Sequence, residues 1–264
     1  MDYPYRLTAD LHTHTYFSHG KGSIEDNVRQ ALALGFAAVA VTDHGFSQPM
    51  VGLTGEKFLR MRKTVDELNR RWAGQIRILL GVEANVISLD GNIDVPRRCL
   101  PLVDILNLGL HSAVLTTSLS YLTHIALVRA RRRHRDELAQ VCTEALIRAV
   151  ERWPVDILTH PGFRFPIVMS ALAPVAARTA TAIEINASHQ MPVLEDIRTA
   201  LACGCTFAIG SDAHRPEHVG RFENGFALAA AAGVPPERVL NDAAHGGLVL
   251  KAERAHTGAA GTGR

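Results

Sequence analysis

Seven apolar, strand-like runs along this chain each end in a histidine, aspartate or glutamate. The endings are Asp10-Leu11-His12-Thr13-His14, Thr42-Asp43-His44-Gly45, Gly81-Val82-Glu83-Ala84-Asn85, Gly109-Leu110-His111-Ser112, Thr159-His160-Pro161-Gly162, Ile183-Glu184-Ile185-Asn186 and Gly210-Ser211-Asp212-Ala213-His214. Imidazole and carboxylate groups are common metal ligands. Their repetition from start to finish predicts one polar site at one end of a sheet, where several metal ions are held.

Segments of helical period separate these runs, which is typical of repeated βα units. Strands are predicted near residues 6–11, 37–42, 76–82, 103–110, 155–159, 181–185 and 206–209, and apolar stripes predict helices near 58–72, 138–150 and 193–201. In an earlier helix, Ser23 and Asp26 resemble a capping box and Gly35 ends the helix. Ligands from every strand would lie too far apart in an open sheet, so we expect the parallel strands to close into a barrel.

The composition, 47% apolar and 20% charged over 264 residues, is that of a globular protein. We expect one domain over residues 1–254 and a flexible tail over 255–264. No apolar run approaches the ~20 residues of a membrane span, and the first residues lack a basic and then apolar signal, so we expect a cytoplasmic protein without a membrane partner. Four scattered cysteines are interpreted as small apolar residues: Cys99, Cys142, Cys203 and Cys205.

The first strand ending offers the clearest metal-binding spacing. His12 and His14 lie two residues apart, so their side chains point to the same side of a strand and can bind one ion together. Imidazole and carboxylate favour zinc, manganese or iron over magnesium or calcium. Glu83 has two carboxylate oxygens and can therefore bridge two ions, whereas Asp43 is interpreted as a partner that orients a ligand.

Taken together, the motifs at 10–14, 42–45, 81–85, 160–162 and 210–214 resemble the successive motifs of the PHP (polymerase and histidinol phosphatase) domain. The resemblance is greatest to free-standing bacterial PHP phosphatases of the YcdX type and covers about residues 6–250. It implies an α/β fold, a distorted seven-stranded, TIM-like (βα) barrel, with three metal ions at the carboxyl ends of the strands. Zinc is the expected metal, with manganese or iron as alternatives.

Carried over position by position, the resemblance also implies the ligands of each ion. The first ion is assigned His12, His14, Glu83 and Asp212; the second Glu83, His111 and His160; and the third His19, His44 and His214. Of these residues, Glu83, Asp212 and His214 are predicted to be catalytic. His19 is assigned from a loop whose length differs between family members.

The chemistry of such a centre follows from its charge. Catalytic metal ions roughly 3.5 to 4 Å apart bind phosphoryl oxygens and lower the pKa of a bridging water, so that a hydroxide can attack phosphorus in line. We therefore predict a metal-dependent phosphoesterase that acts on small phosphomonoesters. The chain contains neither a Gly-x-Ser-x-Gly elbow nor a glycine-rich phosphate loop that would suggest another mechanism.

Three residues beyond the metal set are predicted to contact substrate. Arg164 and Arg215 follow ligand motifs, and a guanidinium can bind two phosphate oxygens at once. His189 follows the sixth strand and could reach the mouth of the site. For each arginine, an ordinary surface ion pair is an open alternative. Glu184 and Asn186, at the end of that strand, could orient ligands or form the floor of the site.

A basic run lies after His111: Arg129, Arg131, Arg132, Arg133, His134 and Arg135. It could steer an anionic substrate or nucleic acid, or it could be the solvated start of a helix. The net charge of +2 does not by itself imply nucleic acid. Three histidines off the strand ends are interpreted as structural or surface residues: His124, His218 and His245.

Several alternative functions stay open. Within the phosphatases, a histidinol phosphatase and enzymes for sugar phosphates or nucleotides are not distinguished. A metal-dependent amidohydrolase would also begin with two spaced histidines, but it usually carries a lysine on the fourth strand, where this chain has His111. A nuclease, or a PHP module that has lost its metals and serves as an interaction domain, is the remaining alternative. The oligomeric state is not predicted.

Overall fold

The computed structural model describes residues 3–111, 114–115 and 135–251. Within these ranges lie seven strands: β1 (Ala9–Asp10), β2 (Ala38–Val41), β3 (Arg77–Asn85), β4 (Ile105–Gly109), β5 (Ile157–Leu158), β6 (Ala182–Asn186) and β7 (Phe207–Gly210). Each strand pairs in parallel with the next strand along the chain. The strands form a nearly closed barrel with helices between them, which confirms the predicted α/β barrel.

The α-helices of the described ranges are α1 (Ile24–Ala33), α2 (Gly55–Arg71), α3 (Arg135–Arg152), α4 (Met169–Arg178), α5 (Leu194–Ala202) and α6 (Glu223–Ala232). The predicted capping box at α1 is confirmed, because Ser23 Oγ accepts a hydrogen bond from the Asp26 amide at 3.1 Å and the Asp26 carboxylate accepts one from the Ser23 amide at 2.8 Å. Gly35 follows this helix in the left-handed region, with φ of 75°. None of these helices has the length and apolarity needed to cross a membrane.

Two helices and the lengths of several strands differ from the sequence analysis. Helices α4 and α6 were not predicted, because Pro174 lies inside α4 and the alanine-rich α6 carries no one-sided apolar stripe. Strand β1 is shorter than predicted because Leu7 pairs antiparallel with Asp242 instead of with β2. Strand β5 ends early because the chain turns at His160, whose φ is 28°.

The inner face of the barrel changes from apolar to polar along the strands. Residues of a strand alternate between the two faces of a sheet. On β3 and β6, the inward series run from Leu79 to Glu83 and Asn85, and from Ala182 to Glu184 and Asn186. Near the amino ends, small and aliphatic side chains pack inside the barrel: Ala9, Ala38, Ala40, Leu79, Ile105, Ile157, Ala182, Ala208, Leu240 and Leu250. An apolar floor therefore lies beneath a polar opening.

The barrel closes by different contacts at its two ends. At the carboxyl end, the His14 amide donates to the carbonyl of Ala213 at 2.8 Å, and Thr13 and Ala213 form a parallel bridge. Further toward the amino end, Asn241 takes the place of an additional strand. Its side-chain amide donates to the carbonyls of Ala9 at 2.8 Å and Ile209 at 2.9 Å. Strands β1 and β7 are thus joined partly by the side chain of Asn241.

The terminal prediction and most of the basic run fall outside the described residues. Residues 252–264 include the predicted tail, so the division at residue 254 stays a prediction. Residues 129–134 also lie outside the described ranges, whereas Arg135 is the exposed first residue of α3.

Candidate metal centre

The nine residues predicted to bind metal converge at the carboxyl end of the barrel. Their nitrogen and oxygen atoms form four overlapping groups whose members lie within 4.8 Å of one another: His14, His44 and His214; His12, His160 and Asp212; His12, His14 and Glu83; and His44, Glu83 and His111. The remaining residue, His19, adjoins them, with its ring centroid 4.7 Å from that of His44 and 4.3 Å from that of His214. Residues far apart in sequence thus form one cluster.

Glu83 lies at the centre of the cluster and is fully buried. Its Oε1 atom is 2.8 Å from His160 Nε2 and 3.4 Å from His111 Nε2. Its Oε2 atom is 2.8 Å from His44 Nδ1 and 3.7 Å from His14 Nε2. The two oxygens face different histidines, which is the arrangement needed for a carboxylate that bridges two cations.

Asp212 faces the other side of the first-strand histidines. Its Oδ1 atom is 3.2 Å from His14 Nε2 and 3.7 Å from His12 Nε2. Its Oδ2 atom lies 3.2 Å from His189 Nε2 and accepts a hydrogen bond from the Asn186 side chain at 3.2 Å. The backbone of Asp212 has a φ of 53°, a left-handed conformation that is uncommon outside glycine and often occurs at functional sites.

The loop that carries His19 is held by Asp43. The buried Asp43 carboxylate accepts hydrogen bonds from the amides of Thr15 at 2.9 Å and Ser18 at 3.1 Å, and from both of their hydroxyl groups. The His19 ring lies parallel to that of His44, with 5° between their planes. Asp43 therefore orients this part of the centre by fixing a loop.

Glu184 fixes the orientation of His12. Its Oε1 atom lies 2.7 Å from His12 Nδ1, so a proton on that nitrogen leaves Nε2 free to face the cluster. Its Oε2 atom accepts hydrogen bonds from the His160 amide at 2.7 Å and the Asn186 side chain at 3.0 Å. Gly210 makes this approach possible, because a Cβ there would collide with the Glu184 carboxylate.

A cavity of about 420 Å³ opens above the cluster. It is lined by His19, His44, Gln48, Glu83, His111, His160, Phe163, Arg164, His189, Asp212 and His214. One wall is a stack in which the Phe163 and His189 ring centroids are 3.8 Å apart and the Arg164 guanidinium lies 5.1 Å from the Phe163 ring. Arg164 and His189, which the sequence predicts as substrate contacts, thus border the cavity.

Arg215 lies elsewhere. It does not line the cavity, and its guanidinium is 3.6 Å from the Glu217 carboxylate at an exposed position. This arrangement matches the alternative of a surface ion pair. Sequence reasoning did not identify Gln48 or Phe163, because both come from loops beyond the strand-end motifs and neither is a typical metal ligand.

Comparison with known proteins identifies the family. A family model described as "PHP domain" matches residues 10–183, which is more than half of the chain. The chain belongs to the PHP domain family. A protein from Caldanaerobacter subterraneus, "Probable phosphatase TTE1963", is 32% identical over 248 residues that span 89% of this chain and 87% of the relative. "Probable phosphatase YcdX" from Escherichia coli O81 is 31% identical, spanning 88% of this chain and 89% of the relative.

A solved structure supports the same fold for this PHP chain. The histidinol phosphate phosphatase from Lactococcus lactis, described as complexed with zinc, L-histidinol and phosphate, aligns with a TM-score of 0.58 at 16% identity. The alignment covers 86% of this chain and 94% of that chain. Membership in the PHP family, together with the relatives named as phosphatases, confirms the predicted enzyme class of metal-dependent phosphatase.

The donor set of the PHP centre suits divalent cations. Three of its buried atoms make no hydrogen bond within the described residues: His14 Nδ1, and the pair Glu83 Oε2 and His44 Nδ1, which lie 2.8 Å apart without hydrogen-bond geometry. Buried polar atoms are rarely left without a partner, and a carboxylate beside several imidazoles favours zinc, manganese or iron. The residues present therefore fit a metal centre.

The ionisation of the site also favours cation binding. Burial alone would raise the pKa of Glu83, but the neighbouring His111 and His12 side chains hold it well below its ordinary value. Burial lowers the pKa of His14, and it lowers that of His19 to about 4 with help from His44. Glu83, His14 and His19 are therefore carboxylate and neutral imidazoles near neutral pH, which are the forms that bind metal. Despite burial, nearby carboxylates raise the pKa of His12 and His111, so a cation must displace a proton at these two ligands.

Proposed function

We propose that this PHP protein hydrolyses small phosphomonoesters at a centre of three divalent metal ions, of which zinc is the preferred metal and manganese or iron the alternatives. The observation that carries the proposal is the convergence of nine ligand side chains, with Glu83 at their centre. We assign His12, His14, Glu83 and Asp212 to the first ion, Glu83, His111 and His160 to the second, and His19, His44 and His214 to the third. The zinc and phosphate described for the Lactococcus lactis enzyme support the choice of metal and substrate class.

Ions held there would supply Lewis acidity toward phosphoryl oxygens and a water molecule of lowered pKa. The protein supplies the rest of the arrangement. Glu83 and Asp212 provide buried negative charge, and Glu184 keeps His12 turned toward them. Arg164, at the edge of the cavity, offers a planar fork of donors for phosphate oxygens. The apolar floor below excludes water from the amino-terminal side of the barrel.

The shape of the site supports a small ester over a polymer. The cavity has a volume of about 420 Å³, and the stacked rings of Phe163 and His189 border one side of it. Such a space can take a phosphate with a leaving group of metabolite size. Histidinol phosphate belongs to this class, as do sugar phosphates and nucleotides.

The intact donor set supports an enzyme over an interaction module, since each of the nine positions carries a ligating side chain. To test the proposal, zinc, manganese and iron are measured in protein purified without chelators. Hydrolysis of p-nitrophenyl phosphate and of single-stranded DNA is then compared in the same metal-loaded sample. We expect bound metal and preferential cleavage of the small ester. Preferential cleavage of DNA would favour the nuclease alternative, and a protein without metal or turnover would refute the proposal.

Variants make the test specific to the centre. His14→Ala and Glu83→Ala should each lose bound metal and reduce turnover by at least about 100-fold, because a ligand with charge or basicity is removed while the fold is kept. His245→Ala, which removes a histidine outside the cluster, is the matched control and should keep both properties. Full turnover in Glu83→Ala would contradict a shared-ion mechanism.

A further inference from the structure

One buried carboxylate near the centre faces none of the nine predicted ligands directly. Asp94 is 6% exposed and lies in the loop after β3. Its Oδ1 atom accepts a hydrogen bond from the Asn85 amide at 2.8 Å, and its Oδ2 atom accepts from the Asn85 side chain at 2.7 Å and from the Ser47 amide at 2.9 Å. Gly45 has no Cβ, and one there would collide with this carboxylate. The absence of a side chain at Gly45 thus leaves space for the buried carboxylate of Asp94.

The carboxylate determines which way the Asn85 amide points. A carboxylate accepts hydrogen bonds and does not donate them, so the NH2 group of Asn85 must face Asp94. The carbonyl oxygen of Asn85 then faces His111, and the two atoms Asn85 Oδ1 and His111 Nδ1 are 2.6 Å apart. An oxygen at this distance requires a proton on Nδ1. The Nε2 atom then lies 3.4 Å from Glu83 Oε1 and faces the cluster.

We propose that Asp94 and Asn85 are positioning residues that select the Nδ1-protonated form of His111 and so prepare its Nε2 atom to bind the second metal ion. The inference rests on the proposed metal centre and adds two residues to it. Glu184 contacts His12 directly, whereas here an amide separates the buried charge from the imidazole. A histidine ligand commonly donates its other N–H to such a partner, and loss of the partner typically weakens metal binding 10–100-fold.

The same carboxylate connects this histidine to the rim of the cavity. Ser47, whose amide binds Asp94, precedes Gln48, which lines the cavity. The carbonyl of Ser47 accepts a hydrogen bond from the amide of Leu115 at 2.7 Å, in the segment after β4. Asp94 therefore fixes the loops after β2 and β3 in one arrangement, in which His44 and His111 both face Glu83.

The test uses Asp94→Asn, which keeps the shape of the side chain but removes its charge, and Asn85→Leu, which removes the acceptor for His111. Asn69→Leu is the control, because Asn69 makes a similar pair of hydrogen bonds to Ile78 near the start of the same strand but lies away from the cluster. Zinc binding is measured by metal analysis after equilibration with buffered free zinc. The tautomer of His111 is read from long-range ¹H–¹⁵N NMR spectra of the full chain.

We expect one zinc equivalent to bind about 10–100-fold more weakly in both test variants, while the control keeps the affinity of the wild type. The NMR spectra should show Nδ1-protonated His111 in the wild type and loss of that preference in Asp94→Asn. Unchanged zinc affinity and tautomer in Asp94→Asn would overturn the inference, as would an equal loss in Asn69→Leu. If the wild type bound no metal, the proposed function itself would fail, whereas wild-type binding with insensitive variants would refute only the role of Asp94 and Asn85.

Discussion

At the scale of single residues, the chain buries several titratable side chains in one place, although the burial of charge costs free energy. Two ionised carboxylates, Glu83 and Asp212, and a set of histidines are buried together at the carboxyl end of the barrel. Removing charged groups from water costs several kcal/mol each unless they are paired or bind a cation. Burial lowers the pKa of His12, but the carboxylates of Glu184, Asp212 and Glu83 overcome it and raise the pKa well above its ordinary value. The negative field that holds a proton there also attracts a metal ion.

The cysteines give a residue-scale prediction that does not depend on metal. Burial raises the pKa of Cys142 to about 12 and that of Cys205 to about 11, so almost no thiolate is present at pH 8. We expect both to resist iodoacetamide at pH 8 in the native protein and to react after unfolding in urea. Peptide mass mapping of the two samples checks this. Rapid labelling of native Cys142 would show that α3 does not pack as described.

At the scale of elements, the strand ends were predictable and the connections were less so. Each apolar run followed by a ligand motif became a strand that leads into the cluster, because parallel strands present their carboxyl ends at one edge. Helix α4 was not predicted because Pro174 lies inside it, although its buried residues Met169, Leu172, Ala173 and Ala176 recur at helical spacing. The role of Asn85 was also hidden, because it depends on Asp94, nine residues later in a loop without regular structure.

Strand β7 supplies an element-scale prediction. Gly210→Ala would place a methyl group against the Glu184 carboxylate and move it away from His12. We expect a loss of about 1–3 kcal/mol in the free energy of unfolding, together with weaker metal binding. Urea denaturation and metal analysis measure the two effects.

The matched control for this change is Gly55→Ala, at the start of α2. A Cβ at that position meets no atom within 4 Å and Gly55 has no positive φ, so its substitution should keep the metal affinity and leave the free energy of unfolding unchanged or slightly higher. If Gly210→Ala kept the stability and metal affinity of the wild type, the packing of Glu184 against β7 would be contradicted.

At the scale of the whole molecule, metal binding should be coupled to folding. The proposed ligands come from segments between His12 and His214, so they can surround the ions only in the folded barrel. At a free metal concentration 100 times the Kd, one site adds about 2.7 kcal/mol to stability, which corresponds to about 5–10 °C in Tm for a protein of this size. Because three ions are proposed, we expect a chelator to lower the Tm by at least this amount and added zinc to restore it.

Calorimetry of the wild type and of His14→Ala checks this coupling. The variant should melt near the temperature of the chelated wild type, and the chelator should change its Tm by a smaller amount. Equal shifts in the two proteins would mean that the chelator acts elsewhere.

The barrel and the location of its polar end were predictable from sequence because the ligand motifs recur. The contact that Asn241 makes with β1 and β7 was not predictable, since that residue belongs to no repeat.

The contact of Asn241 with β1 and β7 has a consequence for how the chain folds during synthesis. The neighbouring strands can pair in the order in which they leave the ribosome, because each one lies beside its predecessor. The first and last strands, however, share an amide that is supplied 31 residues after Gly210. The ring therefore completes only when nearly all of the polypeptide has emerged, and a nascent chain that stalls before this asparagine leaves β1 and β7 without their shared partner.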